Sequence, residues 1–478
     1  MRAVSTVNQQ VFTFALLGLL CLGGAYAVSR SALPTALLLA FALLASTVAF
    51  IRSEIAIYML IAAMLLSPEI ALGHEVSARA GKGITLRLDD LLLVIVGAAW
   101  FVKSALQKEL NLVAHTNLNK PVFFYSLACI LSTLIGIGAG RVEVVGGGLF
   151  ILKYVEYFVL FWMVINSTQD ETQIRRYLAV LLAVAVIVAL VAISQIPTNH
   201  RVTAPFQGEH GEPNTLGGYL VFIIAVMLGI VVASARYRFV LLISIGILLV
   251  PLAYTLSRSS YLAILPAAFS VFLFAKRPRL IGALAILSLL LLLAPSRFLP
   301  SAVMNRIEFT VKQENKQGVT LLGQRVDTST SARIASFTYA IDAFQQRPVF
   351  GWGVTGWRFI DSQYFRTLVE TGLFGFSMFL FLIFCVFREG FRTWRFFQDK
   401  DDFYFGLSCG FLGGLVGLLV HAIGANTFVI VRVMEPFWLL CGIIYILPRV
   451  AEATRGEVQN SKIENQKLKE LSSSFVSK

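Results

Sequence analysis

Residues 239–275 read FVLLISIGILLVPLAYTLSRSSYLAILPAAFSVFLFA. Two apolar runs, 239 to 256 and 259 to 275, each approach the ~20 residues a helix needs to cross a bilayer, and only Ser257 and Arg258 separate them. Lipid offers the backbone no hydrogen-bond partners, and the runs are continuous rather than alternating, so they are helices and not barrel strands. The joint is too short for an ordinary loop. It sets a guanidinium at a membrane face, inside Leu256-Ser257-Arg258-Ser259-Ser260.

The pattern continues in both directions. Apolar stretches lie at 11 to 29, 33 to 51, 54 to 72, 88 to 106, 120 to 138, 148 to 166 and 177 to 196, then at 215 to 233, 279 to 296, 368 to 387, 403 to 422 and 428 to 447. Together they predict an all-α polytopic membrane helix bundle of about 12 to 14 transmembrane helices. Composition agrees, since 57% of the 478 residues are hydrophobic, 14% are charged and the mean hydropathy is +0.76. A formal charge of +13 would point to nucleic acid in a soluble protein. Here the charge lies largely in loops and the tail, so it is a topology signal and no nucleic-acid partner is expected.

Placing the amino terminus in the cytoplasm puts Arg52, Lys103, Arg175-Arg176, Arg236, Arg238, Lys276-Arg277 and the cluster from Arg388 to Lys400 inside, as the positive-inside bias requires. The main exception is the 73 to 87 loop, with Arg79, Lys82 and Arg87. The tail, 448 to 478, is then cytoplasmic too, and its Lys/Glu/Ser/Asn-rich composition predicts disorder or a loose helix. Met1 to Ser29 has two readings, an uncleaved first span or a secretory leader cut after Ala25-Tyr26-Ala27, and the second span begins outside the cytoplasm in either. All five cysteines sit in apolar runs, without disulfide or zinc spacing, and read as small core residues.

Four stretches then converge on the outer side: Arg201 to Leu220, Ser257 to Tyr261, Ser331 to Gly353 and Asp361 to Gly375. A charge at mid-membrane costs roughly 2.5 to 3.5 kcal/mol on insertion scales, so charges in or beside spans mark candidate sites. Arg258 has a planar fork that holds two phosphate oxygens at once. Its alternative is an interfacial arginine snorkelling to lipid headgroups. Arg201 can face the same anion, and Asn214, after Pro213, is placed to cap the next helix. Glu209, His210 and Glu212 lie too close together in a Gly/Pro loop to suggest one metal ion, so no metal or other cofactor is expected.

The long segment from 297 to 367 is expected to form a lid with short helices. Thr328-Ser329-Thr330-Ser331 is a helix start, and Ile334, Phe337, Ile341 and Phe344 form the stripe that should pack on the bundle. Arg333 in its first turn either points toward the bundle or lies at the surface. Asp361 and Glu370 are nine residues apart, which on one helix brings them to the same side. Asp361 is either a base that takes a hydroxyl proton or a plain helix cap, and Glu370 either contacts substrate or holds the helix by pairing with an arginine. Tyr364 between them is a further substrate-binding candidate.

In this order, the Arg201 loop ending in Pro213-Asn214, the Ser257-Arg258 motif, the Arg333 helix with Arg347-Pro348-Val349-Phe350-Gly351-Trp352-Gly353, and Glu370-Thr371-Gly372-Leu373-Phe374-Gly375 resemble the bacterial O-antigen ligase and polymerase family of membrane glycosyltransferases. The resemblance implies three parts: amino-terminal helices 1–198, a catalytic membrane region 199–447 with a periplasmic loop 297–367, and the tail. It also implies transfer of a glycan from an undecaprenyl-pyrophosphate carrier to a glycan or lipid-linked acceptor, at the periplasmic face of the inner membrane, alongside a chain-length regulator and a flippase. Arg201 and Arg258 match arginines proposed to hold the pyrophosphate, and Arg333 matches a third arginine of the family, at the loop. Ligases to lipid A core place a histidine nine residues before the motif glutamate; Asp361 stands there, which resembles polymerases instead. The rival class is a polysaccharide-lipid flippase, which should show repeat symmetry and paired broken helices at the midplane.

Overall fold

The computed structural model describes residues 44–67, 69–70, 86–106, 115–198, 201–206, 211–293, 304, 320–321, 324–325 and 328–476. The expected span 11 to 29, most of 33 to 51, and the lid residues 297–303 and 305–319 lie outside them.

The described chain is helical apart from two minimal hairpins, which pair Glu69–Ile70 with Leu86–Arg87 and Thr320–Leu321 with Gln324–Arg325. After a helical stretch at 44–51 come α1 (Ser53–Leu66), α2 (Leu88–Leu106), α3 (Asn119–Gly138), α4 (Val144–Ser167), α5 (Glu171–Ser194) and α6 (Pro213–Ala233). Then follow α7 (Arg238–Tyr254), α8 (Arg258–Phe274), α9 (Pro278–Leu293), α10 (Thr328–Gln346), α11 (Gln363–Phe397), α12 (Asp402–His421) and α13 (Val431–Val476). Among the described residues, seven helices are long and apolar enough to cross a membrane, and four more apolar helices are shorter. Of the two readings of the tail the structure has the helical one, with α13 running on through it to Val476.

Between apolar helices in lipid, close packing replaces hydrophobic burial as the driving force, so small residues let backbones approach. The α6–α12 contact shows it. A Cβ on Gly229 would stand 2.3 Å from Gly406 O, and one on Gly410 would stand 2.6 Å from Val226 Cα. On the other flank, Tyr157, Phe158 and Phe161 of α4 interleave with Trp438 of α13, the Phe158 and Trp438 rings lying edge to face at 4.7 Å. Edge-to-face pairs of this kind add about 0.5–1.5 kcal/mol each beyond packing area.

Three local expectations change. The buried face of α10 runs through Phe337, Ala340 and Ala343, with Phe337 stacked on Phe365 at 4.6 Å, while Ile341 is 45% exposed. Alanines let the helix lie close, which the larger isoleucine would prevent. Asn214 does not cap α6, because Pro213, whose missing N–H costs nothing in a first turn, starts the helix one residue earlier. Asp361 is neither on the same helix as Glu370 nor its cap, since α11 begins at Gln363 and Ser362 occupies the cap position.

Candidate functional site

The turn between α7 and α8 is built by its neighbours. Leu256 takes a positive φ of 50°, so the chain reverses sharply and leaves its carbonyls pointing outward. Arg201 donates from Nε to Thr255 O at 3.0 Å and from Nη2 to Leu256 O at 3.1 Å. Val202 N adds a bond to Tyr254 O at 3.2 Å. Ser257 caps α8 by accepting from Ser260 N and donates from Oγ to Asn214 Oδ1 at 2.8 Å. Arg258 is therefore the first residue of a capped helix whose turn is tied to both Arg201 and Asn214. The two arginines lie at the same end of the bundle.

The start of α11 comes to this end from the other side. Gln363 N donates to Ala422 O at 3.1 Å, Gln363 Oε1 accepts from Phe428 N at 3.1 Å, and Asn426 Nδ2 donates to Ile360 O at 2.8 Å. Tyr364 reaches across to donate to Leu419 O at 2.6 Å, which joins α11 to α12. These bonds hold Asp361 at the rim. There it meets Arg333 of α10, with Arg333 Nε 3.7 Å from Asp361 Oδ2 and the two side chains 24% and 41% exposed. Gly424 lies between the two halves, for a Cβ on it would stand 2.6 Å from Ser259 Oγ and 3.9 Å from Arg333 Nη1. Arg333 and Ser259, the residue after Arg258, thus both lie close to Gly424.

Glu370 lies deeper and is engaged on both oxygens. Oε1 accepts from Arg366 Nε at 3.0 Å and Thr355 N at 3.2 Å, and Oε2 accepts from Tyr154 at 3.3 Å. Its surroundings explain two of the sequence motifs. At Gly372 the helix breaks (φ 65°, ψ −169°), and residues 348 to 353 fill the break. Leu373 N donates to Pro348 O at 2.7 Å, Trp352 N to Val369 O and Gly353 N to Glu370 O, both at 2.9 Å. Irregular backbone in a membrane bundle needs internal partners of this kind. A Cβ on Gly372 would lie 2.2 Å from Val349 O, and one on Gly351 would lie 2.5 Å from Val369 O, so both glycines are required.

Two residues at this end carried no signal in the sequence reading. Arg432 is fully buried and donates from Nη1 to Pro205 O and from Nη2 to Ser67 O, each at 3.0 Å, anchoring the Arg201 loop to the end of α1. His421, also fully buried, pairs through Nδ1 with Thr427 Oγ1 at 2.8 Å, while its Nε2 has no partner among the described residues. Both lie within apolar runs, at 403 to 422 and 428 to 447, where the sequence pattern singled out neither. Glu209 and His210 lie outside the described residues.

Among the described residues, Arg201, Arg258, Arg333 and Asp361 come to one end of the apolar bundle, and guanidinium groups so placed can hold an anion. No curated protein matches this chain. The O-antigen ligase family matches residues 243–380, which span α7 to the break in α11 and include Arg258, Arg333, Asp361, Tyr364 and Glu370. Arg201 and Asn214 precede that stretch but are bonded to its first turn. The chain is thus a multi-pass membrane protein whose residues 243–380 match the O-antigen ligase family.

Proposed function

We propose that the protein is a membrane glycosyltransferase that polymerises undecaprenyl-pyrophosphate-linked oligosaccharide repeats at the periplasmic face of the inner membrane, for an O-antigen or exopolysaccharide. One observation carries this reading: Arg201, Arg258 and Arg333 gather with Asp361 at one end of the bundle. In the reaction the acceptor hydroxyl attacks the anomeric carbon, a new glycosidic C–O bond forms, and the bond to the pyrophosphate breaks from the opposite face, inverting the centre. Undecaprenyl pyrophosphate leaves with its electron pair, and Asp361 takes the hydroxyl proton. Arg258 and Arg333 hold the developing phosphate charge, and Arg201 fixes the turn that presents Arg258 while adding its own positive field. Removing one such preorganised donor typically costs ~100-fold or more in rate. With guanidinium groups in this role the step calls for no metal ion.

Glu370 and Tyr364 shape the site in this account, because their polar atoms hold Thr355, Arg366 and the end of α12. Asn214 acts through Ser257. The test is purified protein given lipid-linked repeats in the presence of EDTA. A ladder of product lengths is the expected outcome, with Arg258→Lys and Asp361→Ala each reducing product by ~100-fold or more, since lysine lacks the bidentate fork. A single shifted acceptor would indicate ligation to lipid A core or another acceptor. Normal ladders from both variants would remove the assigned roles, and loss of lipid flipping with transfer intact would favour a transporter.

A further inference from the structure

At the end of the bundle opposite Arg258, a cavity of about 750 Å³ opens between the end of α4, the second half of α11 and the middle of α13. Arg392, Arg395 and Arg449 line it, together with the apolar side chains Ile165 and Phe396. Glu389 forms part of its floor and is only 4% exposed. That carboxylate is engaged by Asn117 Nδ2 at 3.0 Å, Arg388 at 3.2 Å and Arg392 at 3.6 Å. Arg395 and Arg449 form no ion pair or hydrogen bond with a described residue. Asn166, in the same wall, has a buried amide nitrogen with no acceptor among the described residues.

Exposed arginines are ordinary at a membrane boundary, but here they surround a concavity of the size that takes small molecules, ~300–1,000 Å³. The lining combines donors for oxyanions with apolar walls. Basic pockets between transmembrane helices bind anionic headgroups for this reason, and planar guanidinium groups match phosphate oxygens. Glu389 and Glu452 subtract two charges from the three guanidinium groups of the lining, which leaves one positive charge in excess.

We propose that this cavity binds a phosphate oxyanion between Arg395 and Arg449, supplied either by an anionic lipid headgroup or by free phosphate. The site is separate from the transfer chemistry and does not depend on it. The test uses the full chain, purified and delipidated in a neutral detergent, and reads thermal melting after adding phosphatidylglycerol, phosphatidylcholine or inorganic phosphate at matched ionic strength. A rise of several degrees with phosphatidylglycerol and none with phosphatidylcholine identifies the headgroup as the source. An equal rise with inorganic phosphate identifies a free-anion site of the same chemistry. The variant Arg395→Gln with Arg449→Gln should lose the response, whereas Arg236→Gln, outside the cavity, should keep it. Should the double variant not fold, native mass spectrometry of the unaltered protein should show phosphatidylglycerol retained over phosphatidylcholine. Equal responses to both lipids and none to phosphate, or a double variant that responds like the parent, would overturn the proposal.

Discussion

Arg333 and Asp361 face one another at 3.7 Å, beyond hydrogen-bond range and partly open to solvent. Pairs so exposed contribute ~1 kcal/mol or less, so in the proposed reaction the pyrophosphate would compete with Asp361 for Arg333. Arg333→Gln should then raise the donor KM while leaving the melting temperature close to that of the parent, which steady-state kinetics and a thermal melt would check. Glu370 behaves oppositely. Its partner Arg366 is buried with it, at 9% and 11% exposure, and removing one member of such a pair leaves a charge uncompensated at ~3–5 kcal/mol. Glu370→Gln should lower the denaturation midpoint sharply, and a variant as stable as the parent would refute the structural role. The joint between α7 and α8 at Arg258 was legible because a cation between two apolar runs has few positions available. It left Glu370 open between substrate and arginine because its partners, Tyr154 and Thr355, come from distant parts of the chain.

The break in α11 is the feature of element scale on which the site depends. Gly372 ends the segment that follows Asp361, and residues 348 to 353 bond into the gap. Gly372→Ala would drive a methyl into Val349 O and force a positive φ on a residue with a Cβ, so folded protein should be largely lost. Gly148→Ala in α4 meets nothing within 4 Å and should be tolerated, and size-exclusion yield of the two variants compares them directly. The Gly-Trp-Gly and Glu-Thr-Gly motifs were visible in the sequence, yet not their interlock, because hydrogen bonds between two backbones leave no trace in side-chain pattern. On the packed face of α10, Phe337 of the expected stripe stacks on Phe365 while Ile341 turns outward, for a related reason. Periodicity counts Ile341 and Ala340 as equally apolar, and only close approach to Phe365 and its neighbours selects the alanine.

For the whole molecule, helix positions were legible to within two residues at α2, α3, α7 and α8, whereas α11 runs ten residues past its expected end at 387. What ties the ends together was not. Arg432 links the Arg201 loop to α1, and its place at the start of an apolar run resembles any boundary arginine until Pro205 and Ser67 are seen to accept from it. The central claim is that the guanidinium groups and Asp361 open to one compartment, outside the cytoplasm, with the Arg395 cavity on the other side. The direct measurement is labelling by a membrane-impermeant thiol reagent on intact spheroplasts, using single cysteines at Arg201→Cys, Arg258→Cys and Arg395→Cys in a chain whose native cysteines are replaced by alanine. The account predicts that positions 201 and 258 label from outside and that position 395 labels only after permeabilisation; labelling of 201 and 258 from opposite sides would contradict it.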